Sequence, residues 1–245
     1  EIESRLEAVA WLVADADVLE ALRSRLKAAP DLERARTRLR LERGGPRDLQ
    51  AIGRALSAGD AAARELAAVE GGVPSRLEAA INVLLLANTP DLQVFASNLA
   101  QALNDSLPML ARDGGFIAPG WDSALDEARG LRDDSRRIIA ELQSRYAGET
   151  GISALKIKFN NVLGYFIDVP ARHGDALMAP PLSETFIHRQ TLAGNIRFST
   201  RELSDLAGRI SRAEEEAKAR EGELFNGFCA GVDALNETLA TSARA

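Results

Sequence analysis

The sequence has one cysteine, two histidines and few aromatic residues, and each scarcity excludes a class of structure or chemistry. The single Cys229 cannot form an internal disulfide or the paired CxxC ligands of a zinc site, and it fits a reducing compartment. His173 and His188 lack the i, i+4 partner or nearby cysteines of a zinc site, so we expect no metal site. Aromatic residues make up only 5% of the chain while alanine, leucine, arginine and glutamate dominate, which favours long helices over a β-sandwich.

Motifs for catalysis and cofactor binding are also missing. The chain has no G-x-x-x-x-G-K-[ST] loop, no G-x-G-x-x-G turn and no G-x-S-x-G nucleophile elbow. Acidic segments such as Glu214-Glu215-Glu216 and Asp133-Asp134 are typical of solvated helix faces paired with arginine. We therefore expect a chain that is not an enzyme, with no catalytic residue, no cofactor and no metal.

Long apolar runs are absent as well. No run approaches the length that crosses a bilayer, and Glu1-Ile2-Glu3 is the wrong start for a secretion signal. These features predict a cytoplasmic protein with no membrane partner. The first residue is not methionine and lies inside a predicted helix, which indicates that the sequence was cut from a longer chain.

The first 150 residues are predicted to be helical. Apolar residues recur at spacings of three and four over 5–12 and 18–26. Prolines, glycines and capping residues then separate the later helices, which we expect to begin near Pro30, Arg47, Ser75, Pro90 and Asp122. Ser75 and Asp122 are the predicted caps of their helices, and the last of these helices is long and ends near Gly148. Residues 105–120 carry prolines and glycine pairs and are predicted to be an ordered loop.

At Leu155 the apolar period changes from near 3.6 to 2, which predicts a strand. Asn160-Asn161 is expected to turn the chain with left-handed backbone angles, and 164–169 is the predicted returning strand. Residues 185–188 and 196–198 offer two more β segments around a turn at Gly194-Asn195.

Helix resumes after this β-rich segment. Ser199 and Glu202 have the spacing of a capping box, and from Leu203 to Leu239 the apolar residues keep a nearly heptad spacing. We therefore predict one unusually long final helix. The alternative use of that spacing is a helical interaction or dimerisation scaffold that pairs with another chain and does not bind DNA.

The predicted fold class is mainly α: a helical core with long lever helices and a small inserted antiparallel β-rich unit. The predicted division is 1–149 for the helical core and first lever helix, 150–200 for the β-rich insertion, and 201–245 for the returning lever helix. Two long helices that bracket a small β unit would hold that unit away from the core.

Charge is distributed unevenly along the chain. The whole chain carries a net charge of -6, whereas from 151 to 200 five cations outnumber three acids, a net charge of +2. Lys156 and Lys158 share a strand face, and 186–200 contains no acid. Taken alone, the charge fits a solvated face without a partner better than a nucleic-acid surface. The position of this unit between long helices favours the nucleic-acid surface.

Several segments resemble the MutS family of DNA mismatch repair proteins. LKIKFNNVLGYFI at 155–167, RQTL at 189–192 and Arg197-Phe198 are similar to the clamp of bacterial members. Four earlier segments resemble the core of that family in the expected order: RLEAV at 5–9, PDLER at 30–34, RGGPRDL at 43–49 and GGFI at 114–117. The resemblance covers essentially the whole chain.

The resemblance implies a function. Lever helices of that family connect an ATPase dimer to a clamp that closes on duplex DNA and contacts its backbone without reading sequence. It also implies a homodimer and MutL as partners of the full-length protein, a cytoplasmic, nucleoid-associated location, and ATP and Mg bound in a separate ATPase domain. The mismatch-wedging Phe-x-Glu and the Walker loop of the family are not in this sequence.

The resemblance also implies which residues bind DNA. Polar and basic residues near two β-hairpin tips would face phosphate: Lys156, Lys158, Asn160, Asn161, Arg189, Thr191, Asn195 and Arg197. Where many relatives have a lysine and an asparagine after the RQTL segment, this chain has Ala193 and Gly194. Asn195 is the expected substitute for the missing amide, and Arg197 either contacts phosphate or pairs within the clamp.

Overall fold

The computed structural model describes residues 2–245 and divides into two compact units. The helical unit comprises the residues up to Trp121 together with Glu221–Ala245, and the sheet unit comprises Asp122–Arg220. Helices predominate and the only sheet among the described residues has four antiparallel strands, so the predicted mainly α fold class is confirmed. The predicted division at residues 150 and 200 separates helix from strand, whereas the compact units group the strands with the helices that cover them.

Helices of the helical unit begin and end where proline, glycine and capping residues stop the apolar period. They are α1 (Ile2–Ala14), α2 (Ala16–Ala28), α3 (Leu32–Arg40), α4 (Pro46–Ala67), α5 (Ser75–Leu84), α6 (Pro90–Ala102), the last part of α9 (Arg201–Ala234) and α10 (Asn236–Arg244). Asp15 and Asp31 cap α2 and α3 by accepting backbone N–H groups. Ser75 was predicted to cap α5, but it is the first helical residue and follows Pro74.

The core of the helical unit is built around α4, which packs against α2, α3, α5 and α6. Its Leu49 and Ile52 are fully buried, as are Leu92 and Leu99 of α6. The 3.6-residue period of α4 places such residues on one face, and their burial stabilises each by about 1.5–3 kcal/mol. The end of the chain differs from the prediction, because the long helix stops at Ala234 and α10 starts after Leu235.

The loop before the sheet unit is ordered, as the prolines and glycines of 105–120 predicted. A 3-10 turn spans Ala111–Asp113, and a bridge joins Leu103 to Ile117. Glu221 of α9 is buried, and its carboxylate accepts the backbone N–H groups of three consecutive loop residues, Gly115 to Ile117, at 2.6–3.2 Å. A buried charge needs such donors, so this carboxylate holds the loop in place.

Cys229 of α9 lies half-buried. Burial, with a smaller contribution from the charge of Asp233, raises the pKa of its thiol to about 11. The nucleophilic thiolate is therefore scarce at neutral pH.

The sheet unit contains two helical segments, four strands and one short helix. They are α7 (Ser123–Thr150), β1 (Lys156–Asn160), β2 (Gly164–Pro170), α8 (Gly174–Met178), β3 (Ile187–Thr191), β4 (Asn195–Ser199) and the first part of α9. Asp122 caps α7 as predicted, with Oδ1 accepting Leu125 N–H at 2.9 Å. The helix continues beyond Gly148 to Thr150 and ends at Gly151, whose φ of 67° suits a residue without Cβ. α8 was not predicted.

The strands follow the order β1-β2-β4-β3, each antiparallel to its neighbour. One face of this sheet is apolar and packs with side chains of α7 and α9 in a single core. Ile167, Val169 and Phe198 are fully buried there, beside Leu142 of α7 and Leu203 of α9. The period-2 pattern predicted this face correctly, because alternate residues of a strand point to opposite sides.

The start of α9 differs from the predicted capping box. Thr200, not Ser199, caps the helix, with Oγ1 accepting Leu203 N–H at 3.0 Å. Glu202 does not reach back to the cap and instead forms an ion pair with Arg145 of α7. Because Thr200 is the cap, Glu202 is the second helical residue, and a capping box requires the acid at the third.

Among residues 2–245, no helix combines the length and the apolar character that a bilayer crossing requires. Within the same described residues, no three His, Cys, Asp or Glu side chains are grouped so that they could hold a metal ion.

Candidate nucleic-acid interface

The face of the sheet opposite the apolar core carries the polar residues of the strands. Register sets its composition: Lys156 and Arg197 both lie directly opposite Asp168 of β2, and Lys158 lies opposite Phe166. We call this the outer face. The predicted sharing of one strand face by Lys156 and Lys158 is confirmed, and both lysines are exposed.

Asp168 lies at the centre of the outer face. It is only 6% exposed, and its carboxylate accepts Lys158 Nζ at 2.6 Å and Asn195 Nδ2 at 3.0 Å. Arg197 Nε lies 3.9 Å from the other carboxylate oxygen. Both hydrogen-bonded partners are diagonal neighbours of Asp168 on adjacent strands, a geometry that long side chains span and that contributes about 0.2–1 kcal/mol per pair.

Arg197 lies flat on the outer face. Its guanidinium carbon is 4.5 Å from the centre of the Phe166 ring, and Nη1 donates to Gln190 Oε1 at 2.9 Å. The side chain is 23% exposed and Nε is a buried donor without a hydrogen-bond partner among the described residues. Two roles were expected for Arg197, contact with phosphate or pairing within the clamp, and the geometry supports the pairing. Stacking on Phe166 adds about 0.5–2 kcal/mol of stabilisation.

Lys156 differs from the other cations of the outer face. It is exposed, and residues 2–245 offer no partner to its ammonium group. With Lys158 and Arg197 it gives the outer face three positive charges against the single negative charge of Asp168. No other acid occurs in the four strands.

The two hairpin turns lie at opposite ends of the sheet. Because the strands are antiparallel, the β1-β2 turn is at the end where Ser199 leads into α9, and the β3-β4 turn at 192–194 is at the other end. The predicted residues of the two turns are therefore not brought together. Instead, Lys156, Lys158, Asn195 and Arg197 are grouped on the outer face between the turns.

Asn160 has a structural role in the β1-β2 turn. Its Oδ1 accepts the backbone N–H groups of Val162 at 2.9 Å and Leu163 at 2.7 Å. Left-handed angles were predicted for Asn160 and Asn161 but neither adopts them; Gly164, with a φ of 67°, is the left-handed residue of this turn. The Asn160 side chain stabilises the turn by accepting backbone N–H groups, so neither asparagine needs the left-handed backbone conformation.

On the edge strand β3, a bulge at Arg189 interrupts the pairing between His188 and Gln190. The Arg189 side chain is exposed, has no partner among the described residues, and lines a cavity of about 340 Å³ with Ser199 and Ser204. Thr191 Oγ1 lies 3.0 Å from His188 Nε2.

Sequence reasoning missed the residues that organise the outer face. Asp168, Phe166 and Gln190 were not among the predicted site residues, since an acid and an aromatic ring do not suit a polyanion. Their signal lies in the register: an acid placed opposite two cations across adjacent strands indicates an ion-pair network.

Residues 120–216 match the profile of MutS family domain IV. The chain is 48% identical over 244 residues to the DNA mismatch repair protein MutS of Rhodopseudomonas palustris strain BisB5, covering 100% of this chain and 26% of that protein. It is 49% identical over 243 residues to the protein of that name from strain BisB18, and 46% identical over 244 residues to that of Azorhizobium caulinodans. These matches cover 99% and 100% of the chain and 26% of each relative.

Proposed function

Because the chain belongs to the MutS family, of whose curated relatives it spans about a quarter, we propose that its sheet unit binds the sugar-phosphate backbone of duplex DNA in mismatch repair. Binding is independent of sequence. Phosphate contacts from lysine, arginine and asparagine position a protein on DNA but carry no base information.

The observation that carries this proposal is the charge of the outer face. Lys156, Lys158 and Arg197 are grouped there around one acid, in a chain whose net charge is -6. Local positive charge on an acidic protein restricts attraction of a polyanion to one surface.

The remaining parts of the proposal rest on the family. In this proposal, the helical unit and the long helices α7 and α9 act as levers. They link DNA binding by the sheet unit to a separate ATPase domain, which binds ATP and Mg. A homodimer of the full-length protein, MutL as a partner and a cytoplasmic, nucleoid-associated location belong to the same proposal.

The alternative, a helical scaffold that pairs through exposed heptads, loses its main support. Every apolar residue of the heptad pattern is buried or half-buried within this chain: Leu203, Leu206, Ile210, Ala213, Ala217, Leu224, Phe228, Val232, Leu235 and Leu239. Side chains that already fill a core are not available to a second chain.

The experiment is fluorescence anisotropy of the 245-residue chain with labelled duplexes of two unrelated sequences across a salt series. We expect weak binding that is equal for both duplexes and falls steeply with salt, because released counterions supply the affinity. Lys156→Gln is expected to weaken binding and to reduce the slope of log K against log salt by about 0.9.

Lys218→Gln is the matched control. Lys218 is an exposed lysine of the sheet unit, but it lies on α9 and not on the outer face. An equal loss in both variants would mean that only net charge matters, and undetectable binding of the wild-type chain at low salt would count against the proposal.

A further inference from the structure

The buried carboxylate of Asp168 needs an explanation on a surface proposed to bind a polyanion. A negative charge at the centre of that surface repels phosphate, so a site selected only for positive charge would not contain it. Asp168 is nevertheless 6% exposed and is directed toward two cations and one amide.

The Asp168 carboxylate uses only part of the donors that its two hydrogen-bonded partners offer. The Lys158 ammonium has three N–H donors and Asp168 takes one, while the Asn195 amide has two and Asp168 takes one. The Lys158 side chain remains 53% exposed. Asp168 thus holds each group by a single donor, and the other donors stay free for a ligand.

The surroundings make the arrangement rigid. Phe166, 3% exposed, supports the guanidinium of Arg197 from below, and Gln190 fixes Nη1 of the same group. Arg197 in turn lies beside the carboxylate, which therefore has partners from both neighbouring strands. The ion pair with this fixed carboxylate restricts the rotamers that the Lys158 side chain samples before any ligand arrives.

We propose that Asp168 is a positioning residue, whose buried carboxylate fixes Lys158 and Asn195 as a preformed donor pair for the phosphate backbone, while Arg197 stays paired within the sheet unit. This inference rests on the proposed function and specifies how the outer face achieves it. Ordering a long side chain in advance removes part of the entropy lost on binding. The binding free energy gained by ordering these side chains in advance exceeds the binding free energy lost because the Asp168 carboxylate repels phosphate.

The direction in which a substitution of Asp168 changes the affinity for DNA tests the positioning role. Asp168→Asn removes one negative charge, which makes the net charge of the chain one unit more positive, but it also removes the ionic partner of Lys158. Preorganisation predicts that DNA binding weakens about fivefold, the effect of freeing one long side chain, despite the more positive charge. Asp175→Asn is the matched control, because Asp175 is an exposed acid of α8 outside the network, and its neutralisation is expected to leave affinity unchanged or slightly higher.

A double-variant cycle separates positioning from general stability. In a Lys158→Gln background, Asp168→Asn is expected to lose much of its effect on affinity, because the side chain that it positions is gone. A fivefold loss that is undiminished in that background would overturn the proposal, and so would an Asp168→Asn variant that melts like the wild type and binds DNA as tightly or more tightly.

NMR relaxation of the lysine ammonium groups in the free protein supplies a readout that does not need DNA. Lys158 is expected to be more ordered than Lys156, and Asp168→Asn is expected to make the two equally mobile. Equal mobility in the wild-type chain overturns the proposal even if Asp168→Asn does not fold. An ordered Lys158 in a chain that does not bind duplex overturns the proposed function and leaves the positioning of Lys158 established.

Discussion

At the scale of single residues, carboxylates with specific donors recur at the places where the fold needs order. Asp122, Asp168 and Glu221 each accept at least two hydrogen bonds, from backbone amides or from cationic or amide side chains. Charged acceptors of this kind are stronger than neutral ones, and the loss of one leaves its donors unsatisfied. Their distant partners are not apparent from local sequence, because Asp122 and Arg220, for example, are 98 residues apart.

Asp122 predicts a pH dependence of stability. Arg220 donates to both carboxylate oxygens, at 3.0 and 2.7 Å, and the Arg220 guanidinium, helped by the amide of Leu125, lowers the pKa of this carboxyl from 3.8 to about 2. A lowered pKa means that the stabilisation is present above pH 3.8 and is lost as pH falls to about 2. Asp122→Asn keeps a capping oxygen and is expected to cost about 1 kcal/mol at pH 7, whereas Asp122→Ala also loses the cap and costs about 2 kcal/mol.

Urea unfolding of the wild type and Asp122→Asn between pH 7 and pH 2 measures this. The difference in free energy of unfolding should shrink toward zero at the acid end. A difference that stays constant down to pH 2 would mean that the ion pair with Arg220 does not stabilise the folded chain.

At the scale of elements, turn chemistry decides how the strands are connected. The β1-β2 turn follows Asn160 as predicted, but it is held by Asn160 Oδ1 and by the left-handed Gly164, and not by left-handed asparagines. Asn160 was also predicted to bind DNA, and the acceptor that its amide offers is already used within the turn.

Substitution of Asn160 separates these two roles. Asn160→Ala removes the acceptor and is expected to lower stability by about 1 kcal/mol, whereas Asn160→Asp keeps an acceptor oxygen and should retain most of that stability. Thermal melting compares the two variants, and duplex anisotropy at one salt concentration follows binding. If Asn160→Ala melts like the wild type but binds DNA more weakly, its main role is contact with DNA and not the turn.

The elements themselves were largely predictable from local patterns. The apolar period, prolines and capping acids located the helices, and the change of period at Leu155 located the first strand. The break after Ala234 was missed because apolar spacing continues across it. The cap at Thr200 was missed because the spacing of Ser199 and Glu202 imitates a capping box one residue earlier. The polar network around Asp168 was missed because it depends on strand order, which local pattern does not determine.

At the scale of the whole molecule, the division into two compact units predicts local independence. Each unit has its own fully buried core, with Ile52 in the helical unit and Ile167 in the sheet unit. Regions with separate cores open separately in hydrogen exchange when few contacts couple them.

Ile52→Val and Ile167→Val form a matched pair, since both remove one buried methylene and each should cost about 0.5–1.5 kcal/mol. Hydrogen exchange followed by mass spectrometry should show faster exchange of protected amides only in the unit that carries the substitution. Equal acceleration of both units by either variant would indicate that the chain opens as one cooperative whole.

The raised pKa of the Cys229 thiol makes selective labelling at a second cysteine feasible for spectroscopy. With a thiol that ionises only near pH 11, the native cysteine should react sluggishly with maleimide reagents at neutral pH. A new cysteine placed at the exposed Ala193 could then be labelled selectively, which would put a dye at the tip of the sheet without first removing the native sulfur.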